Sequence, residues 1–158
     1  MGNKIVHAGP SGAGASMKMV VNVLLGNAMA GFAEAMLLGQ GLGLSRSVLF
    51  DSLLTTPAVA PFLASKREKI QSGNYQTEFP LRWQQKDLHL ASVNAYESGV
   101  AMPVTNAAKE LYRLAMRQGH GLEDFSAIYE YLASNGDSEE HLPDEVANTA
   151  RRLQREIA

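Results

Sequence analysis

Between Ala15 and Leu38 the chain is apolar on nearly every side, with Lys18, Asn22, Asn27 and Glu34 among its few polar positions. A run of that kind predicts a long helix buried on most of its faces rather than a surface helix with one apolar stripe. About 20 apolar residues would also cross a bilayer. Here Asn22, Asn27 and Glu34 interrupt the run, Gly26 and Gly31 weaken it, and the rest of the chain reads as amphipathic helices. The expectation is a helix at the centre of a water-soluble bundle, with no membrane partner. Gly26 with Ala30, and Gly31 with Ala35, predict close approach by other helices; Gly39, Gly41 and Gly43 end the run.

The rest of the chain supplies wrapping helices. Lys4 to Ala8 reads as a short strand with no second strand to pair with, the first sign of a piece of a larger protein. Gly9, Gly12 and Gly14 then form a loop. Their G-x-x-G-x-G order reverses a dinucleotide fingerprint, and no P-loop lysine follows. Ser45 caps a short helix, Arg46 to Leu54. Thr56-Pro57 opens the next, with Pro57 at its first position, running to Gln71. Lys66, Arg67 and Lys69 near its end read as a solvated basic face. Tyr75 to Pro80 is extended. A second long helix runs from Leu81 to Ser98 with Leu88, Ala91, Ala95 and Tyr96 inward; Lys86 and Asp87 in it read as an exposed charge pair. Pro103 to Gln118 follows, with Ala107, Leu111, Leu114 and Ala115 at core spacing. Glu123 to Ala133 turns Phe125, Ile128, Tyr129 and Leu132 inward. Asn135 to Glu140 is a polar linker, and Pro143 to Ile157 an isolated helix. The fold class is all-α, a helical bundle around long central helices.

Composition narrows the function. The 158 residues carry a formal net charge of -2 and 46% hydrophobic residues, enough for one domain with a core. No basic block suggests nucleic acid. The absence of cysteine excludes disulfides, thiolate metal sites and a cysteine nucleophile. His7, His89, His120 and His141 are scattered, so no metal site is expected. The start lacks the apolar core of a signal peptide, and the expected location is the cytoplasm.

Lys18 is the oddest residue. It sits one turn into the first helix, where the positive end of the macrodipole opposes its charge by ~0.3–1 kcal/mol. Asn22 lies four residues on, on the same face. Two readings stand: a proton-exchanging group near a ligand, or a surface lysine whose stem lies along the helix.

Gly12-Ala13-Gly14-Ala15-Ser16-Met17-Lys18-Met19-Val20-Val21-Asn22 resembles the Gly-x-Gly-x-x-x-Lys-x-x-x-Asn segment of β-hydroxyacid dehydrogenases. That family includes 3-hydroxyisobutyrate dehydrogenase and the glyoxylate/succinic semialdehyde reductases. Phe79-Pro80-Leu81-Arg82-Trp83-Gln84-Gln85-Lys86-Asp87-Leu88 is similar to the second of those branches, and Asp124-Phe125-Ser126-Ala127-Ile128 makes a third match. The resemblance covers Lys4 to Ala133. It implies a fold like the C-terminal domain of 6-phosphogluconate dehydrogenase. Residues 1–14 would then be the last strand and linker of a Rossmann domain that lies outside this chain. Residues 15–134 would be the substrate and dimerisation domain, and 135–158 a polar linker and helix without counterpart in the family.

The resemblance also implies an enzyme, an NAD(P)-dependent dehydrogenase or reductase of a small semialdehyde or hydroxy acid. Lys18 would be the general acid/base and Asn22 its catalytic partner. Gly12, Phe79 and Asp87 would bind substrate. Lys86 would reach the cofactor, NADP or NAD, which the other domain mainly holds, so the isolated chain would be nearly inactive. A homodimer or homotetramer is expected. Val21 departs from family members that carry a second asparagine there. A helical oligomerisation module without catalysis is the alternative, and the presence of Lys18 argues against it.

Overall fold

The computed structural model describes residues 6–136. The long apolar run forms α1, Ala13–Gly41, 29 residues. Gly12 precedes it at φ 94°, a left-handed conformation that a side chain would strain. At the other end Gly43, at φ 87°, donates its N–H to Gln40 O while Leu44 N reaches back to Gly39 O. This pair of bonds is a Schellman closure, and it satisfies carbonyls that the helix end would orphan.

α1 is covered along one side. Asn22, Gly26, Met29, Ala33, Met36 and Gly39 are buried, whereas Met17, Val20, Val21, Leu24 and Leu38 are exposed among the described residues. The expectation of a helix buried on most of its faces is corrected accordingly. Close approach occurs at Gly26, against Gln84 and Leu88, and at Gly39, against Leu49. Gly31 faces open space, so the approach expected there is absent.

α2, Arg46–Leu53, is capped by Ser45, whose hydroxyl accepts from Val48 N at 3.4 Å. The next helix does not begin at Pro57. Thr55 and Thr56 turn their hydroxyls back onto carbonyls of Ser52 and Leu53 and close α2 with a turn. The helix-opening proline is Pro61, which starts a 3₁₀ segment, Pro61–Lys66, that passes into α3, Arg67–Ser72. α4, Leu81–Glu97, and α5, Pro103–Arg117, form a hairpin across α1. A 3₁₀ turn, Phe125–Ala127, leads into α6, Ile128–Gly136, so Asn135 and Gly136 belong to a helix and not to a linker.

Two inward faces differ from expectation. α5 buries Thr105, Ala108, Tyr112 and Ala115; Leu114 and Ala107 are exposed. Apolarity alone misses this because the inward polar groups find partners on α1. The Tyr112 hydroxyl donates to Gly26 O at 3.2 Å, and Asn27 donates to the Thr105 hydroxyl at 3.0 Å. Tyr96, expected in the core, is 89% exposed, beyond the stripe of Leu88, Ala91 and Ala95. Val6 to Ala8 form no strand, while Lys4, Ile5 and the helix expected over Pro143 to Ile157 lie outside the described residues. Among the described residues the only β pairing is an isolated bridge between Pro80 and Asp124.

Candidate active site

The first turns of α1 lie against the middle of α4, and three hydrogen-bonding side chains set the contact. Gln84 is fully buried and donates its amide to the backbone carbonyl of Asn22 at 2.8 Å. One turn further along α4, Asp87 accepts from Asn22 Nδ2 at 2.6 Å. The other Asp87 oxygen takes the Lys86 ammonium at 2.8 Å. Gly26 makes room for this join, since a Cβ there would meet Gln84 Nε2.

Lys18 and Asn22 together line two adjoining cavities. The smaller, about 140 Å³ and half open, is also lined by Ala15, Met19, Asp87 and Leu90. The larger, about 480 Å³, is walled by Leu25, Phe62, Ser65, Lys66, Phe79 and Phe125. The rings of Phe79 and Phe125 meet edge to face, 5.9 Å between centroids at 74°. Lys18 has no ion-pair or hydrogen-bond partner among the described residues. Lys18 is exposed, and its side chain lines both cavities beside the Asn22 amide and, in the larger, the aromatic wall.

The opposite wall holds a second lysine. Lys66 is 4% exposed, not solvated as its place in a basic run suggested. Its ammonium contacts Glu78 Oε2 at 2.8 Å and Asp124 Oδ2 at 3.1 Å. Burial by itself would raise the Asp124 pKa. Hydrogen bonds from the Ser126 hydroxyl and N–H, with the Lys66 charge, outweigh it and hold the carboxyl below the usual carboxylate range. Glu78 is likewise held low, first by its hydrogen bond from Lys66.

The structure thus brings Lys18, Asn22, Phe79 and Asp87 to one place, while Lys86 is the outer arm of Asp87 and not an isolated exposed pair. Asp87 itself is largely covered, its side chain 13% exposed. Gly12 stands apart from both cavities, at the N-terminal cap of α1. Sequence reasoning missed Gln84, Lys66 and Asp124 as members of the site. The one available signal was that Gln84 and Asp124 lie inside the two downstream motifs.

Fold and site define an all-helical domain that offers a cationic, half-apolar cleft at the start of its central helix. Residues 12–132 match the family model described as the NAD-binding domain of NADP-dependent 3-hydroxyisobutyrate dehydrogenase. Glyoxylate/succinic semialdehyde reductase 2, chloroplastic, from Arabidopsis thaliana is 41% identical over 84% of this chain and 37% of its own length. Glyoxylate/succinic semialdehyde reductase 1 from the same plant is 37% identical over 82% of this chain and 45% of its own. Among solved structures, a 3-hydroxyisobutyrate dehydrogenase from Mycobacterium tuberculosis with L-serine superposes with a TM-score of 0.72. It is 27% identical, over 82% of this chain and 46% of that one. The chain belongs to the 3-hydroxyisobutyrate dehydrogenase-like family of NAD(P)-dependent hydroxyacid dehydrogenases and semialdehyde reductases. It spans less than half the length of these relatives.

Proposed function

We propose that this chain is the catalytic helical domain of an NAD(P)-dependent reductase of small semialdehydes, working in reverse as a hydroxy acid dehydrogenase. Residues 1–14 would lead in from a nucleotide-binding domain, and copies of the chain would associate as a dimer or tetramer. The observation that carries the reading is the unpaired Lys18 beside Asn22, with Asp87 fixing the amide.

The proton chemistry follows from that arrangement. An ionised carboxylate only accepts hydrogen bonds, so Asp87 takes the NH₂ end of Asn22 and leaves its carbonyl oxygen to the cavity. That oxygen is left to accept from a substrate hydroxyl. Lys18, with no partner of its own on the same cavity, is left to serve the oxygen of a bound aldehyde. In the reduction it gives a proton to the developing alkoxide; in the oxidation its neutral amine removes the hydroxyl proton. The positive charge also favours an oxyanion before transfer. Phe79 and Phe125 exclude water from one side of the reacting carbon.

The cofactor of this family supplies the hydride. Among the residues present, Lys86, exposed beside Asp87, is the one that would reach that cofactor. No strand–glycine-loop–helix unit for a pyrophosphate occurs among the described residues.

The test is turnover of glyoxylate and succinic semialdehyde with NADPH or NADH by the protein joined to its nucleotide-binding domain. Lys18→Ala should lower kcat by roughly 10²–10⁴, the size of a general acid contribution. Unchanged turnover in that variant would remove Lys18 from the chemistry.

A further inference from the structure

One buried carboxylate ties together the two backbone segments that carry the cavity's aromatic wall. Asp124 Oδ2 accepts from Glu78 N and Phe79 N, each at 3.3 Å, and from the Lys66 ammonium at 3.1 Å. Its Oδ1 accepts from Ser126 N at 3.2 Å and from the Ser126 hydroxyl at 2.6 Å. Phe125 N in turn donates to Phe79 O at 2.9 Å. The Lys66 ammonium lies 5.0 Å from the centre of the Phe125 ring, and Phe125 also stacks on Phe62, 6.2 Å between centroids. Lys66, Phe62, Phe79 and Phe125 all line the larger cavity.

A buried ion pair is a poor source of stability, because desolvation offsets most of its attraction. What this pair does supply is geometry. Five donors converge on one carboxylate: three are backbone N–H groups at or beside Phe79 and Phe125, one is the Ser126 hydroxyl, and one is the lysine over the Phe125 ring. We infer that the Lys66–Asp124 pair is a positioning element that holds the Phe79–Phe125 wall and through it gives the cavity a preference for hydroxy acids or semialdehydes with an apolar tail. The ligand class rests on the function proposed above; the positioning of the rings does not. Lys18 handles the proton, and Lys66, held between two carboxylates, sets what lies beside the reacting carbon.

The chain has five phenylalanines, so 4-fluorophenylalanine labelling gives a resolvable ¹⁹F spectrum. The probes are 3-hydroxypropionate and 3-hydroxy-3-phenylpropionate. In the wild type the phenyl probe should shift the Phe79 and Phe125 signals and bind about tenfold or more tightly than the smaller acid, a pocket-scale difference. In Lys66→Met/Asp124→Asn, folded by circular dichroism, those two signals should move or broaden without ligand while Phe32 and Phe50 stay. The preference for the phenyl probe should shrink by about tenfold, and Lys66→Arg alone should retain it. Should the double variant fail to fold, Ser126→Ala replaces it, and movement confined to the Phe79 and Phe125 signals is again the expected result. Unmoved ring signals in a folded variant, or an unchanged preference, overturn the inference. A wild type that binds neither acid overturns its ligand half, with the ring signals still deciding the positioning half. A Lys18→Ala protein with normal turnover would instead sink the catalytic reading and leave both readouts intact.

Discussion

An amide has a donating end and an accepting end, and at position 22 a carboxylate decides which end faces the cavity. Asp87 therefore belongs to the candidate site as Lys18 does, since it fixes the amide that lines both cavities with the lysine. Asp87→Ala should free the Asn22 amide to rotate and lower kcat by about 10²-fold, the usual penalty for a small misplacement of a reacting group. Steady-state kinetics on the chain joined to a nucleotide-binding domain check this, and thermal melts of the variant should change little by comparison. At this scale the grouping of Lys18, Asn22, Phe79 and Asp87 around the two cavities was legible, because the motifs that contain them resemble a known family. Lys66 and Gln84 were not. Asp124 lies 58 residues from Lys66 and Asn22 lies 62 from Gln84, and nothing local in a Lys-Arg-Glu-Lys run says which cation will be buried. Gly12 caps α1 in a left-handed turn and lines neither cavity, so its expected contact with substrate rests on the resemblance alone.

Glycines along α1 separate two kinds of element contact. Gly26 admits α4 so closely that an added Cβ would strike Gln84 Nε2 and both Leu88 methyls. Gly26→Ala should cost about 1–3 kcal/mol in spite of its better helix propensity, as overpacking does. Gly31 meets nothing within 4 Å. Gly31→Ala should then stabilise the chain by up to about 1 kcal/mol, because alanine restricts the unfolded state and favours helix. Chemical denaturation of the two variants side by side gives both signs in one experiment. Helix order was readable from periodicity, caps and breakers, and Ser45 marks the helix start expected of it. Rotation was not: α5 turns Tyr112 and Thr105 inward since their hydroxyls have partners on α1, and a count of apolar residues favours the neighbouring face. Pro57 and Pro61 show the same limit, since both suit a helix start and only the threonine hydroxyls that close α2 choose between them.

Taken as a whole, the molecule is an apolar rod covered on one side, with charge buried at one end. Its stability should depend on pH at both extremes. Asp124 and Glu78 have pKa values lowered in the fold, so the stability they contribute is complete above the unfolded carboxylate range and is lost as pH falls through it toward their folded values. Tyr112 and Tyr75 are pushed up, chiefly by burial. Their contribution is complete below the usual tyrosine value of about 10 and declines as pH rises above it. Thermal melts across the pH range should therefore show a plateau near neutrality with a fall on each side. Lys66→Met/Asp124→Asn should flatten the acidic limb. Five exposed apolar side chains on α1 belong to this scale too, and a family resemblance that implies dimers left their exposure in the single chain unread.

Proton transfer by the residue-18 amine is tested most directly by chemical rescue. Lys18→Ala, in the protein joined to its nucleotide-binding domain, should be nearly silent, and small primary amines added to the assay should restore turnover in proportion to their concentration. Amines better matched to the assay pH should rescue best. A Lys18→Ala protein that turns over at the wild-type rate, with no response to any amine, would contradict the assignment.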